Sequence, residues 1–213
     1  MTSINTLLGL PLPLVLASQS PRRQSLLTHL GFTFSVVRPD VDEDCIPLDQ
    51  PPSIYVQQLA RMKAERGLII AGEPSIVIGS DTTVVLDGAI LNKPSSPEHA
   101  ADMLRSLSGR THTVHTGVAI AVPDAYGMST MVVSRQTDVT FRQLDDIEIQ
   151  AYVATGSPMD KAGAYGIQDD LGAVFVSHIA GCYYTIVGLP LELLYTSLRT
   201  VAQQMHSLPP VQR

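Results

Sequence analysis

Cysteine is scarce: Cys45 and Cys182 are the only two in 213 residues, far apart and with no CxxC pair. That excludes a disulfide framework and a zinc ribbon, and leaves two buried free thiols in a reducing compartment as the expectation. Long apolar runs are also absent, since nothing reaches the ~18 residues a membrane-spanning helix needs. The short run Leu7 to Ala17 follows no Lys or Arg and is broken by Pro11 and Pro13, so it does not read as a secretory leader. Positive charge is low, with 14 Lys and Arg against 20 Asp and Glu and a formal net charge of −6. A broad basic surface for tracking DNA or RNA is thereby excluded, although a small anion needs only local charge. The GxxxxGK[ST] loop, GxGxxG, HExxH and GxSxG are missing as well, which removes the common ATPase, dinucleotide, zincin and lipase readings.

What is present is globular: 45% of residues are hydrophobic and 16% charged, too apolar a mixture for disorder. No internal repeat, low-complexity tract or long linker divides the chain, so one domain over residues 1–213 in the cytoplasm is the expectation. Leu14 to Ala17 reads as a buried strand, and Ser20-Pro21 as a cap and first helical position opening a helix with Leu26, Leu27 and Leu30 inward, closed by Gly31. A second helix is expected from about Ser53 to Arg66, then a strand from Ile76 and a hairpin turn at Asp87-Gly88. Ser96-Pro97 opens the clearest helix, its apolar face carried by Ala101, Met103, Leu104 and Leu107. Strand alternation over Thr113–Ala121 and Met131–Phe141 precedes a helix near Asp145–Thr155, strands near Val174–Ile179 and Tyr183–Val187, and a last helix from Leu191 to about Met205. Helices and strands alternate without strict regularity, which predicts an α/β fold with a mixed sheet.

Several polar residues sit where apolar or neutral ones are expected. Ser18-Gln19-Ser20-Pro21-Arg22-Arg23 sets two guanidiniums in the first turn of a helix, where cations oppose the helix dipole at about 0.3–1 kcal/mol each. Both can point to solvent, or they and the free N–H groups of the helix start can hold a phosphate. The three lysines are Lys63, Lys93 and Lys161. Lys63 falls on the inward stripe of its helix, seven after Val56 and four after Leu59, so it either snorkels or points into a site. Lys93 follows the hairpin in a segment that alone reads as a surface turn. Lys161 opens a stretch too rich in small residues to make a good helix or strand. Asp81 emerges from the apolar run Ile76 to Gly79, a costly place for a carboxylate unless it is paired, hydrogen-bonded or metal-bound. The acidic run Asp40 to Asp44 suits a solvated loop, and equally supplies the hard oxygens that Mg²⁺ or Mn²⁺ takes. His112 and His115, on opposite faces of a strand pattern, are set aside as metal ligands.

Together these segments resemble the Maf family of nucleoside triphosphate pyrophosphatases from Leu16 to about Leu191. The blocks that carry the resemblance are LASQSPRR (16–23), PDVDE (39–43), LARMK (59–63), GSDTTVVLDG (79–88), LNKP (91–94), AADMLRSLSGRTH (100–112), DKAGAYGIQ (160–168) and VGLP (187–190). DKAGAYGIQ is similar to the branch acting on dTTP and UTP, as opposed to methylated guanosine triphosphate. The resemblance implies a single α/β domain with an elongated mixed sheet flanked by helices, as in the Maf and ITPase folds. It further implies cleavage between the α- and β-phosphates to a monophosphate and pyrophosphate with a divalent cation, Mg²⁺ or Mn²⁺, and a homodimer. On this chain it puts Asp81, Lys63 and Lys93 among the catalytic residues. Ser18, Arg22, Thr82 and Gln168 fall to substrate binding, and Glu43 with Asp81 to the metal. Two departures stand out: Ser80 replaces the family's usual alanine, and Asp169-Asp170, with one residue inserted, replaces the glycine after Gln168, a change in the loop beside the specificity position. Two other readings remain: a nucleotide-binding regulator of cell division without turnover, and a hydrolase of modified pyrimidine nucleotides.

Overall fold

Apolar residues on both faces of Leu14–Ala17 make this segment unfit for water on either side, and all four are buried in the middle of a sheet. The computed structural model describes residues 3–207; residues 1–2 and 208–213 of the expected domain, and the side chain of Asp170, lie outside the described residues. In chain order the elements are α1 (Ile4–Leu8), β1 (Leu14–Ala17), α2 (Pro21–His29), β2 (Ser35–Val37), α3 (Pro52–Ala71), β3 (Ile76–Leu86), β4 (Ala89–Leu91), α4 (Pro97–Leu107), β5 (Thr111–Asp124), β6 (Gly127–Phe141), α5 (Asp146–Ala154), α6 (Asp170–Phe175), β7 (Val176–Ala180), α7 (Tyr183–Val187) and α8 (Leu191–Ser207). The strands form one seven-stranded sheet in the order β2-β1-β3-β5-β6-β7, with β4 on β3. β1 runs parallel to β2 and β3, while β4 and β7 pair antiparallel with β3 and β6. The sheet is therefore mixed and carries flanking helices, as expected. Among the described residues no helix is long and apolar enough to cross a membrane.

Contacts divide the chain into two compact units, Met1–Asp81 with Gly117–Ser134 and Gly188–Arg213, and Thr82–Thr116 with Arg135–Val187. In the first, α3 lies on β1 over a core of small residues that includes Val15, Ala17, Ala60, Ala64, Val77, Ala119 and Ala121. Glycine makes this approach possible. A Cβ on Gly79 would run into the Ala60 carbonyl and the Ala64 nitrogen, and one on Gly117 into the Val56 carbonyl, so larger residues would lift the helix off the sheet.

The second unit packs the apolar face of α4, with Ala100, Leu104 and Leu107, against Ile149, Tyr152 and Val153 of α5. Ser96 caps α4 through the His99 N–H at 3.2 Å. Beside them Phe141 and Tyr165 meet edge to face with centroids 4.7 Å apart, and Tyr152 and Phe175 at 5.3 Å. His112 lies edge-on to this cluster, 2 % exposed, with Nε2 2.8 Å from the Tyr165 hydroxyl and Nδ1 without a partner. Burial holds its pKa down at about 4, against a small opposing pull from Asp138.

Several expectations are corrected. Tyr183–Val187 is the helix α7, not a strand: a five-residue β-branched and aromatic run is too short to show its period, and Gly181 and Gly188 at φ +136° and +108° bound it. β7 begins at Val176, because Val174 and Phe175 end α6. Leu30 is 37 % exposed rather than inward, since α2 ends at His29 and Phe32, 6 % exposed, fills the core instead. α3 continues past Arg66 to Ala71, stopped by Gly72 at φ +69°. Cys45 is exposed and Cys182 half-buried; both are free thiols, but neither is a core residue. The hairpin turn stands as expected, with Asp87 and Gly88 at φ +51° and +82°.

Candidate active site

The same close approach that needs Gly79 sets up the chemistry of the first unit. Side chains alternate along a strand, so Asp81 leaves β3 on the face where Gly79 meets α3. Lys63 stands beside Ala64 on the helix seated there. Its ammonium donates to Asp81 Oδ1 at 2.6 Å and lies 2.6 Å from Glu43 Oε1. The Lys63 and Asp81 side chains are only 10% and 11% exposed, against 41% for Glu43. Lys63 thus turns into a site and does not snorkel. Glu43 opens a 3-10 turn whose N-cap is Asp42, with Asp42 Oδ1 accepting from the Asp44 N–H at 3.1 Å. That turn explains why one member of the acidic run reaches Lys63 while Asp40, Asp42 and Asp44 stay exposed.

The strand-turn-helix from β1 to α2 adds the positive side of this cluster. Ser18 is buried, and its Oγ accepts from the Ser20 N–H at 3.2 Å and from Arg23 Nη1 at 3.3 Å. Arg23 Nε donates to the Gly188 carbonyl at 2.7 Å. Burial lowers the Arg23 pKa, the Asp81 and Glu43 carboxylates raise it, and neighbouring Arg22 lowers it further; the guanidinium keeps its proton at any working pH. Ser20 occupies the N-cap of α2 but its hydroxyl caps no backbone N–H. Ser80, the departure from the family pattern, donates its single proton toward the Gly117 and Gly188 carbonyls at 2.9 and 3.0 Å. Its small side chain leaves Asp81 in place and ties β3 to the carbonyl that Arg23 holds. Arg22, Arg23 and Lys63 against Glu43 and Asp81 leave this cluster one charge positive, a surplus that suits an anion.

The donors also fit a hard divalent cation. Two carboxylates converge on one ammonium, and Mg²⁺ characteristically takes one or two carboxylates, completing its octahedron with water and substrate phosphates. No group of three His, Cys, Asp or Glu side chains able to hold a metal occurs among the described residues. Glu43 and Asp81 would therefore hold such an ion only with oxygens from elsewhere.

The remaining expected residues lie in the second unit. The Thr82 hydroxyl is 2.9 Å from that of Thr116, which donates to the Thr185 carbonyl at 2.7 Å, so Thr82 is the donor of the pair. Lys93 follows β4 and is exposed; its neighbour Asn92 accepts the Gly163 N–H at 3.3 Å, joining the LNKP and DKAGAYGIQ segments. Gly163 adopts φ +66° inside the 3-10 turn Ala162–Ala164, which keeps this stretch from continuing as a regular helix. Gln168 is exposed and next to Asp169, whose carboxylate is tied to Tyr152, Ser157 and Lys161. The structure thus brings Ser18, Glu43, Lys63 and Asp81 together, with Arg22 beside them through Arg23. Arg23 itself was not among the expected site residues. Its sequence signal was only a second guanidinium in the first turn of the helix.

Comparison with known proteins identifies the family. Residues 13–201 match the family described as Maf-like protein. The dTTP/UTP pyrophosphatase of Shewanella denitrificans is 50% identical over 202 residues, covering 91% of this chain and 98% of that protein. The dTTP/UTP pyrophosphatase of Yersinia pestis is 51% identical over 179 residues, 84% of this chain and 87% of its own. Among solved structures, the Staphylococcus aureus Ham1 protein aligns at 16% identity and a TM-score of 0.47, covering 89% of this chain and 99% of that one.

Proposed function

The chain belongs to the Maf family, and from that premise we propose that it is a nucleoside triphosphate pyrophosphatase acting on dTTP and UTP. The observation that carries the reading is the buried ammonium of Lys63 held 2.6 Å from both Glu43 and Asp81. A carboxylate so placed is charged, oriented and short of water, which is what abstraction of a proton from an attacking water asks for.

In the reaction, a water oxygen forms a bond to phosphorus and the α–β bridging P–O bond breaks. The electron pair leaves with pyrophosphate, and the nucleoside monophosphate remains. Lys63 occupies Asp81 Oδ1, so Oδ2 is the oxygen that takes the proton of the water. Lys63, Arg22 and Lys93 offset charge on the triphosphate as it shifts to the leaving group. Ser18 shapes the turn that faces the phosphates. Gln168 and Thr82 read the base, the amide of Gln offering an acceptor and donors to a pyrimidine's carbonyl and N–H edge. Glu43 and Asp81 would hold Mg²⁺ or Mn²⁺, which supplies charge neutralisation on the phosphate oxygens and a more acidic water.

On this reading residues 1–213 work as one catalytic domain, as a homodimer in the cytoplasm. The partner is a free nucleotide, neither a nucleic-acid polymer nor a membrane; the net charge of −6 supports the first exclusion. The test is a panel of eight ribo- and deoxynucleoside triphosphates with Mg²⁺, Mn²⁺ or EDTA, products separated by chromatography. Turnover of dTTP and UTP above the purines, abolished by EDTA, is expected. Binding without turnover on every substrate would overturn the enzyme reading in favour of a nucleotide-binding regulator.

A further inference from the structure

Asp169 stands where the family pattern has glycine, and its surroundings give it a task. Its Oδ2 accepts the Tyr152 hydroxyl at 2.7 Å and the Ser157 hydroxyl at 2.6 Å, and lies 3.2 Å from Lys161 Nζ. Lys161 is buried, and also donates to the Ser157 carbonyl and to Asp160 Oδ1 at 2.5 and 2.7 Å. The backbone is closed in the same place. The Asp169 N–H donates to the Gly166 carbonyl at 3.0 Å, the Gly166 N–H to the Tyr152 hydroxyl at 3.1 Å, and the Ala173 N–H to the Asp169 carbonyl at 2.8 Å. Asp169 is thereby the N-cap residue of α6. A Cβ on Gly166 would come within 2.7 Å of both the Asp169 carboxylate and Lys161 Cε, so the knot has no slack.

Between the two pinned residues lie Ile167, buried, and Gln168, exposed. Burial works against the Asp169 charge, but the Ser157 and Tyr152 hydroxyls and Lys161 outweigh it and hold the carboxyl below its ordinary pKa. The anchor is therefore charged throughout the neutral range.

We infer that Asp169 is a positioning residue for Gln168: it fixes the base-reading side chain through the Tyr152–Ser157–Lys161 knot without touching substrate, and so sets the choice between uracil and cytosine nucleotides. The inference rests on the base-reading role proposed for Gln168. Fixed backbone on both sides holds the Cα–Cβ direction of Gln168 and so narrows how its amide meets the base, and a loosened loop lets the amide serve either edge.

The test compares the full chain with Asp169→Ala, Asp169→Asn and Ser157→Ala, measuring kcat and KM on UTP and CTP together with the thermal midpoint. Asp169→Ala is expected to raise KM for UTP and to lower the UTP-over-CTP ratio of kcat/KM, each about tenfold, with kcat on UTP within about twofold. Asp169→Asn keeps an acceptor for the two hydroxyls and falls between. Ser157→Ala, which keeps the ion pair, shifts the ratio about threefold the same way and answers the question should Asp169→Ala fail to fold. A lowered midpoint with KM and the UTP-over-CTP ratio unchanged would make Asp169 merely structural and overturn the inference while leaving the proposed activity standing. Failure of the parent chain to release pyrophosphate from UTP would overturn both.

Discussion

Lys63 is an ammonium between two carboxylates, and its replacement by methionine, close in length but uncharged, separates structure from chemistry. The Asp81 side chain is 11% exposed and Glu43 41%. Losing the cation should therefore be felt at Asp81, while Glu43 turns to water at little cost. Removing one partner of a buried pair costs about 3–5 kcal/mol. Arg23, whose field also reaches Asp81, offsets part of this, so Lys63→Met is expected near the lower end, about 3 kcal/mol. Asp81→Asn alone should cost about 1 kcal/mol, because Lys63 keeps Glu43 and the amide oxygen still accepts from it. In Lys63→Met/Asp81→Asn the stranded charge is gone, and at least about 2 kcal/mol of the Lys63→Met loss should return as coupling. Urea unfolding of the four proteins at neutral pH with equal m-values gives the cycle. A Lys63→Met protein within about 0.5 kcal/mol of the parent, or a double variant as unstable as the sum of the singles, would refute a buried pair that holds the site together.

Asp81→Asn should cut kcat for UTP by about 10²–10⁴, the usual contribution of a positioned base, while leaving the unfolding midpoint near that of the parent; near-normal turnover would remove Asp81 from its role. Acid should destabilise the second unit through His112. Its folded pKa of about 4 lies below the unfolded 6.5, so the unfolded chain takes up a proton that the folded one refuses, and stability falls as pH drops from about 6.5 toward 4. Between pH 7 and 5 the linkage amounts to about 2 kcal/mol, and His112→Gln should remove that part of the slope in chemical denaturation; an unchanged slope would show that His112 is not buried neutral.

The sequence made the negative half of the site legible for a physical reason. A carboxylate at the end of an apolar strand and a lysine on the apolar stripe of a helix are each expensive alone, and pairing them relieves both costs, so Asp81 and Lys63 could be found without coordinates. Which of two adjacent guanidiniums turns inward could not. Arg22 and Arg23 are about 100° apart on the helix, and their directions depend on Ser18 and on Gly188, 165 residues from Arg23 in sequence. The Asp169 knot was hidden similarly, because Tyr152, Ser157 and Lys161 signal no contact along the chain. For the fold, long periodic segments such as α4 were clear, whereas β2, with two of its three residues exposed, and the five-residue helices α1 and α7 have no period to read. Leu30 misled because it continues the apolar stripe of α2 beyond the point where Gly31, at φ +79°, allows the helix to stop.

The work proposed for the Glu43–Lys63–Asp81 cluster is cleavage of a pyrimidine triphosphate between its α- and β-phosphates. Its most direct test follows products, in place of substrate loss, for the parent chain and Asp81→Asn on UTP with Mg²⁺. That role requires UMP and pyrophosphate in equal amounts from the parent and almost none from the variant. UDP with orthophosphate, or equal pyrophosphate release by both proteins, would contradict it.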